Sequence, residues 1–497
     1  MLRGARGDRL PCRQRHQRRP GLPLRDPPDD PQPLRADPQD PTPVDGARRA
    51  RPGARLAGRR PGKVAAHRPP GLAAGEPLRL WLRRRSGPAR AACHAGQAPR
   101  GAGTCARRRG RARPADAAAA EALGASPVRR LRVLFIVPHP IEGPSSRFRV
   151  YQFLPTLAAH GIDAEVRPFL TSAEAPIIYG AGGTAAKVAL TLKATLRRLG
   201  DVLRATCYDA VFVLREAFPF GPAFFETLLK AASGRLIFDF DDAIYVPSTA
   251  YRNPLDRLRD WGKTARIVAR ADHILAGSHY LADWAEAHAP GRVTVLPTVV
   301  DTEVFRPAPV PRPDGPFTVG WIGTPRGTSY LHPLIGAMRR LKERVPGIRF
   351  TLIGAEPFPC EGLPVSFPPW RLDTEVDDIR AFDVGLMPLA DDEEAKGKCG
   401  FKLIEYMSLG VPVVCSPVGA NRDIVEEGRS GFFATNEDAW VEAIARLAED
   451  PALHARFAAE GRRVVEERYS LAAVAPVLAE TLREVVEGLN RPSSARR

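Results

Sequence analysis

Lys402 and Glu405 stand three residues apart in Gly400-Phe401-Lys402-Leu403-Ile404-Glu405. Residues at that spacing share a helix face, so an ammonium and a carboxylate project together where a glycine opens the helix. A helix start offers unpaired N–H groups and partial positive charge to an anion, while a carboxylate one turn on can accept hydrogen bonds from ribose hydroxyls. The pair therefore suits a phosphorylated sugar, above all a nucleotide sugar. Taken alone, Lys-x-x-Glu is also the pattern of a solvated surface pair, which contributes little. The flanks add weight: Gly397-Lys398-Cys399 before the helix, a Gly410-Val411-Pro412 turn after it, an apolar strand from Pro412 to Ser416, and a second glycine turn, Gly419-Ala420-Asn421.

The elements that must position these residues follow from hydropathy. Leu131–Val137 is a continuous apolar run, the signature of a strand covered on both faces. A helical stretch with Arg147, Phe148, Tyr151, Phe153, Leu154 and Leu157 follows, ended by Gly161, and a second strand begins at Asp163. Further strands read at 210–214, 236–240, 274–276 and 293–296, separated by helical segments. After the proline-rich stretch 299–313 a second α/β series begins, with strands at 317–322, 349–353, 383–387 and 411–415. Such alternation predicts two open parallel sheets with helices on both sides. The expected boundaries are 131–298 for the first Rossmann-like domain, 299–313 for a linker, 314–471 for the second domain and 472–490 for a terminal amphipathic helix.

Ligands in open parallel sheets bind beyond the strand C-termini, which singles out three more places. Gly323, Thr324 and Arg326 follow the first strand of the second domain. Asp241 and Asp242 end the strand Phe238-Asp239-Phe240 and read as cleft-lining, acceptor-side carboxylates, with a helix N-cap or a metal-binding Asp-x-Asp as alternatives. Ser145, Ser146 and Arg147 follow the very first strand, where an acceptor or phosphate can meet N–H groups and a cation, although N-capping explains the serines equally well. His139, beside prolines, reads as a loop residue, and Asp391 to Glu394 as a solvated acidic turn.

The ensemble resembles the retaining glycosyltransferases of family 4, the group 1 enzymes with the GT-B fold. The resemblance covers roughly residues 131–490 and is carried by Leu296-Pro297 through Asp301, Gly320 to Gly327, the Glu405 segment, and Glu426-Glu427-Gly428-Arg429-Ser430-Gly431-Phe432-Phe433. It implies that the second domain binds a nucleoside diphosphate sugar and the first an acceptor: a glycan, a lipid-linked molecule or a small molecule, as in bacterial polysaccharide biosynthesis. Glu405 matches the second glutamate of the family's E-x7-E motif, which binds the ribose. The first glutamate is replaced by Gly397. The resemblance further implies retention, with the leaving diphosphate assisting deprotonation of the attacking hydroxyl, and no metal or other cofactor. Lys402, Lys398 and Arg326 then stand for the diphosphate-binding cations, with Gly400 and Phe401 opening the donor helix and the Gly419-Ala420-Asn421 turn meeting sugar or phosphate. Two rivals stay open: a nucleotide-sugar epimerase of the same fold and a non-catalytic scaffold.

Charge divides the chain of 497 residues unevenly. Residues 1–130 hold 30 of the 73 Lys+Arg, 10 of the 56 Asp+Glu and 19 of the 50 prolines, so the net +17 belongs to this stretch and the remainder is slightly acidic. Such a segment patterns too little apolar surface to offset chain entropy and is expected to be disordered. It reads either as translation from a start upstream of the true one or as a basic tether. Trp81 is its only aromatic residue, which argues against nucleic-acid binding. The seven cysteines show no Cys-x-x-Cys or Cys/His metal spacing, and no run is long and apolar enough to span a membrane. A cytoplasmic protein is expected. Lys187 to Arg204 complicates that picture: Val188, Leu192, Leu196, Leu199 and Leu203 form one helical stripe among Lys187, Lys193, Arg197, Arg198 and Arg204. Such a helix can lie peripherally on the inner membrane surface or pack its leucines into the core.

Overall fold

The computed structural model describes residues 129–180, 183–248, 257–308 and 315–488. The basic leader up to 128 and the proline run 309–314 lie outside the described residues. The first sheet has six strands: β1 Leu131–Val137, β2 Ile162–Pro168, β3 Ala210–Leu214, β4 Leu236–Phe240, β5 His273–Ala276 and β6 Val293–Val295. Their order is β2-β1-β3-β4-β5-β6, and every pairing is parallel. The second sheet holds β7 Thr318–Ile322, β8 Arg349–Ile353, β9 Val365–Ser366, β10 Val384–Met387, β11 Val413–Cys415 and β12 Gly431–Phe433, in the order β12-β11-β10-β7-β8-β9, again all parallel. Central strands β3, β4, β7 and β10 are buried along their whole length, which is why they read as unbroken apolar runs rather than alternations. The architecture is GT-B: two Rossmann-like sheets with helices on both faces, meeting at a cleft.

The expected helix after β1 is broken. A helix over Pro144–Arg149 ends at Val150, a 3-10 turn covers Tyr151–Phe153, and a second helix runs Leu154–Ala159. Pro155 lacks the N–H that a continuous helix would need and fits only in a first turn, so the chain restarts there. Gly143, not Ser145 or Ser146, is the residue before the first helix, and no side chain caps it. The chain crosses between the domains twice, side by side: the Val300 amide donates to the Tyr469 carbonyl at 3.1 Å and the Leu471 amide to the Val300 carbonyl at 2.8 Å. The helix Leu471–Glu487 then lays Leu471, Val474, Leu478, Leu482 and Val485 into the core of the first domain.

The long helix Thr184–Ala205 corrects one expectation. Its leucine stripe does not enter the core: Val188, Leu192, Leu196, Leu199 and Leu203 are all exposed, and the buried face is instead Ala194, Arg198, Asp201 and Ala205. Arg198 is thereby removed from the surface, bonding Asp201 at 3.0 Å and the Ala217 carbonyl at 2.9 Å.

Candidate functional site

The helix Phe401–Ser408 carries the residues first singled out. Gly400 precedes it in the left-handed region at φ +65°, and a Cβ there would come within 2.2 Å of Ile424. Tyr406 fastens the helix to the second sheet, because the Ile322 amide donates to its hydroxyl at 3.0 Å. Glu405 is buried. Burial, and then the neighbouring Glu375 carboxylate, raise its pKa well above the ordinary glutamate value, against the opposing pull of Arg147 and Lys402. Lys402, one turn earlier, has its ammonium 5.5 Å from the Trp321 ring centre. Burial and the adjacent Lys398 push its pKa down to about 8. Lys398 itself lies 3.9 Å from Glu394, with its ammonium 5.7 Å from the Tyr330 ring centre.

Arg147 belongs to this group rather than to an open acceptor loop. Its guanidinium reaches across from the first domain and pairs with Glu375 at 2.7 Å, both side chains being buried. Trp370 donates to the same carboxylate oxygen at 2.9 Å. The Arg147 guanidinium stacks against Phe148 and Trp370, and Phe148 meets Phe401 with ring centres 4.3 Å apart. Arg147 Nε and Nη1 are buried and find no hydrogen-bond partner among the described residues. A buried guanidinium with two unspent donors, beside a buried carboxylate, suits a polar ligand that supplies acceptors.

Opposite stands a cluster at the end of β4. Arg215 holds φ +58°, the only non-glycine residue among those described with positive φ. A conformation of that kind costs on the order of 1–3 kcal/mol and persists only where neighbours enforce it. Here the Arg215 amide donates to the Asp239 carbonyl at 2.6 Å, and the guanidinium meets Asp241 at 2.6 Å and Asp242 at 3.6 Å. Burial would raise the Asp241 pKa, but Arg215 and Arg149 outweigh it and hold the carboxyl ionised, with help from Ser145. Burial and the Arg215 charge depress His139 to about 4, leaving a neutral imidazole. Neither Asp241 nor Asp242 caps a helix, and among the described residues no three acidic, histidine or cysteine side chains gather around one metal-sized point. Ser146 Oγ accepts from the His139 amide at 3.3 Å.

The two halves touch through the loop before the helix Phe401–Ser408. A Cβ on Gly397 would lie 2.3 Å from the Ala243 Cβ, and one on Gly277 would lie 2.5 Å from the Cys399 sulfur. Gly397 is thus the residue that lets this loop meet the Asp241-Asp242-Ala243 turn, and no side chain fits there in this arrangement. The acidic turn after Asp391 is not merely solvated: Asp392 caps a short helix through the Ala395 amide, Glu394 accepts from Ser248 at 3.0 Å, and Glu393 accepts from Tyr280. His279 reaches Asp423 at 3.3 Å.

Gly323 and Thr324 lie between β7 and a 3-10 helix over Pro325–Leu334, with Gly323 packed against Trp321. Arg326 is exposed and lies close enough to Tyr179 to act on its titration. Gly419, at φ +52°, abuts the Lys396 carbonyl, and Ala420 leads into a short helix from Asn421, whose buried side-chain amide donates to the Ser416 carbonyl at 2.9 Å. Sequence reasoning missed Glu375, Trp370 and Arg215, and the buried pair Arg149–Asp239, in which the Arg149 Nε donates to Asp239 at 2.6 Å. An aspartate inside the apolar run Leu236–Phe240 was the available signal for a buried cation partner.

Residues 316–450 match the family model described as "Glycosyl transferases group 1". A curated relative, the D-inositol 3-phosphate glycosyltransferase of Stackebrandtia nassauensis, is 27% identical over 226 residues, which is 39% of this chain and 50% of the relative. The chain therefore spans about half the length of that relative. Among solved structures, Anabaena HepE in complex with UDP and glucose superposes with a TM-score of 0.54 at 18% identity, covering 71% of this chain and 100% of that one. Sucrose-phosphate synthase from Thermosynechococcus elongatus gives 0.52 at 16% identity, covering 72% of this chain and 100% of its own. At such identities these structures show the common fold.

Proposed function

We propose that this chain, whose residues 316–450 match the group 1 glycosyltransferase model, moves a sugar from a nucleoside diphosphate donor to an acceptor hydroxyl. One observation carries the reading: a buried carboxylate, Glu405, lies one turn from a half-buried cation, Lys402, and beside a buried guanidinium with two unspent donors. Glu405 receives the ribose hydroxyls. Lys402, with Lys398 and Arg326, receives the diphosphate, whose charge grows as the glycosidic bond breaks, the moment at which preorganised cations act most strongly. Arg147 offers its spare N–H groups to the donor from the opposite domain. The attacking hydroxyl enters from the side of Asp241, Asp242, Ser145 and neutral His139. Transfer proceeds with retention, the departing phosphate oxygen taking the hydroxyl proton, so Asp241 stays bound to Arg215 throughout.

Donor turnover tests the reading against its rivals. Incubating the protein with UDP-, ADP- and GDP-sugars alone and with cell-envelope lipids or glycans should release a nucleoside diphosphate in an acceptor-dependent manner. NMR of the product should show the donor's anomeric configuration kept. Epimerised sugar still attached to nucleotide, or no turnover of any donor despite tight binding, would replace the transferase reading by one of its rivals.

A further inference from the structure

The long helix Thr184–Ala205 is the largest feature that the donor site leaves unexplained. Exposures of 63% for Val188, 60% for Leu192 and for Leu196, and 75% for Leu203 are those of side chains left in water. They recur at helical spacing, so they form one continuous ridge along roughly 22 Å of helix, on the side opposite the buried Ala194, Arg198, Asp201 and Ala205. Continuous apolar ridges of this size mark a surface that something covers.

Charge says what covers it. The only acid of the helix, Asp201, is buried in its pair with Arg198. Lys193 and Arg197 share one carboxylate, Glu174, at 3.2 and 2.8 Å, so that group is overbalanced by cations. Exposed Lys193 and Arg204 leave the ridge with a basic margin on one side. A second copy packed on the same face would bring no exposed helix acid to meet those cations. No described helix is long and apolar enough to cross a membrane. An apolar ridge with a basic border and no exposed acid is the pattern of a helix lying in the interface of an anionic bilayer.

We propose that this helix docks the first domain on an anionic membrane surface through Val188, Leu192, Leu196, Leu199 and Leu203. The adjoining helix Ala175–Tyr179 also exposes Ile177 and Tyr179, and the Tyr179 hydroxyl lies 3.2 Å from His139 Nδ1. The acceptor side of the cleft then opens beside the bilayer, and, on the transferase reading, the acceptor is carried by a lipid.

The test uses the full chain and vesicles of phosphatidylcholine with or without phosphatidylglycerol. Sedimentation should favour the anionic vesicles at least about tenfold and weaken with salt. Leu192→Gln, Leu196→Gln and Leu203→Gln together should reduce binding at least about tenfold, with the melt and UDP affinity unchanged. Because the basic residues 1–128 are present in both proteins, the difference reads the helix alone. The fluorescence that Leu196→Trp adds to the parent's should be quenched by brominated lipid. Equal sedimentation of triple variant and parent, added fluorescence that brominated lipid leaves unquenched, or a triple variant that only abolishes self-association would each overturn the proposal. Loss of UDP binding in the parent would count against the donor site and leave this surface untouched.

Discussion

Lys402 holds its charge in a place that disfavours it, and that gives the proposed donor site a pH signature. Its pKa falls from 10.5 to about 8 in the fold. Between those values the unfolded chain binds the extra proton and the folded one does not, so this group makes stability rise with pH across that window. A bound diphosphate draws the proton back. UDP affinity should therefore decline as pH rises through about 8, and Lys402→Met should flatten that decline, both read by calorimetric titration. Lys402 and Glu405 were legible in the sequence because their spacing is local. Arg147 was visible as a cation after β1 but not as a partner of this site, since Glu375 lies 228 positions away and only the closed pair of domains brings them together.

At the scale of elements, one buried ion pair ties the first helix to the first sheet. Arg149 spends its guanidinium on Asp239, the Leu296 carbonyl at 2.9 Å and Thr298 at 3.2 Å, so the pair is fully hydrogen-bonded and buried. Removing one partner strands the other charge in the core. Asp239→Asn should lower stability by about 3–5 kcal/mol in denaturant melts, and the double change Arg149→Leu with Asp239→Leu should recover much of that loss. The long central strands were legible because burial on both faces makes them uniformly apolar. Two edge strands were not: β9 has two residues, too few to show any period, and β12 has three and opens on Gly431, without the valine-rich run that marks β6 and β11. The stripe on Thr184–Ala205 was equally plain, yet periodicity says only that one face is apolar and not what covers it. The structure removes the core as the answer.

Across the whole molecule, the cleft is held by a few contacts between sheets far apart in sequence: Arg147 with Glu375, Ser248 with Glu394, His279 with Asp423, and the Gly397 loop against Ala243. The absent first motif glutamate follows from the last of these, because a side chain at Gly397 would occupy the space of the Ala243 turn. Gly397→Glu should therefore not improve donor use. It should wedge the domains apart, seen as a larger radius of gyration in solution scattering and slower donor turnover. Removal of residues 1–128 should leave the melt and UDP affinity as they are, since both sheets and the site are built from residue 131 onward.

The central claim, that the Glu405 helix holds a nucleoside diphosphate sugar, is met most directly by calorimetric titration of uridine, UMP and UDP into the full chain and its Glu405→Gln and Lys402→Met variants. Ionised, as acceptance of the ribose hydroxyls requires against its raised pKa, Glu405 makes charged hydrogen bonds that contribute roughly 1.5–3 kcal/mol, so Glu405→Gln should weaken all three ligands about tenfold or more. Lys402→Met should weaken UDP far more than uridine. Parental affinity for all three ligands in both variants, with unchanged melts, would contradict the account.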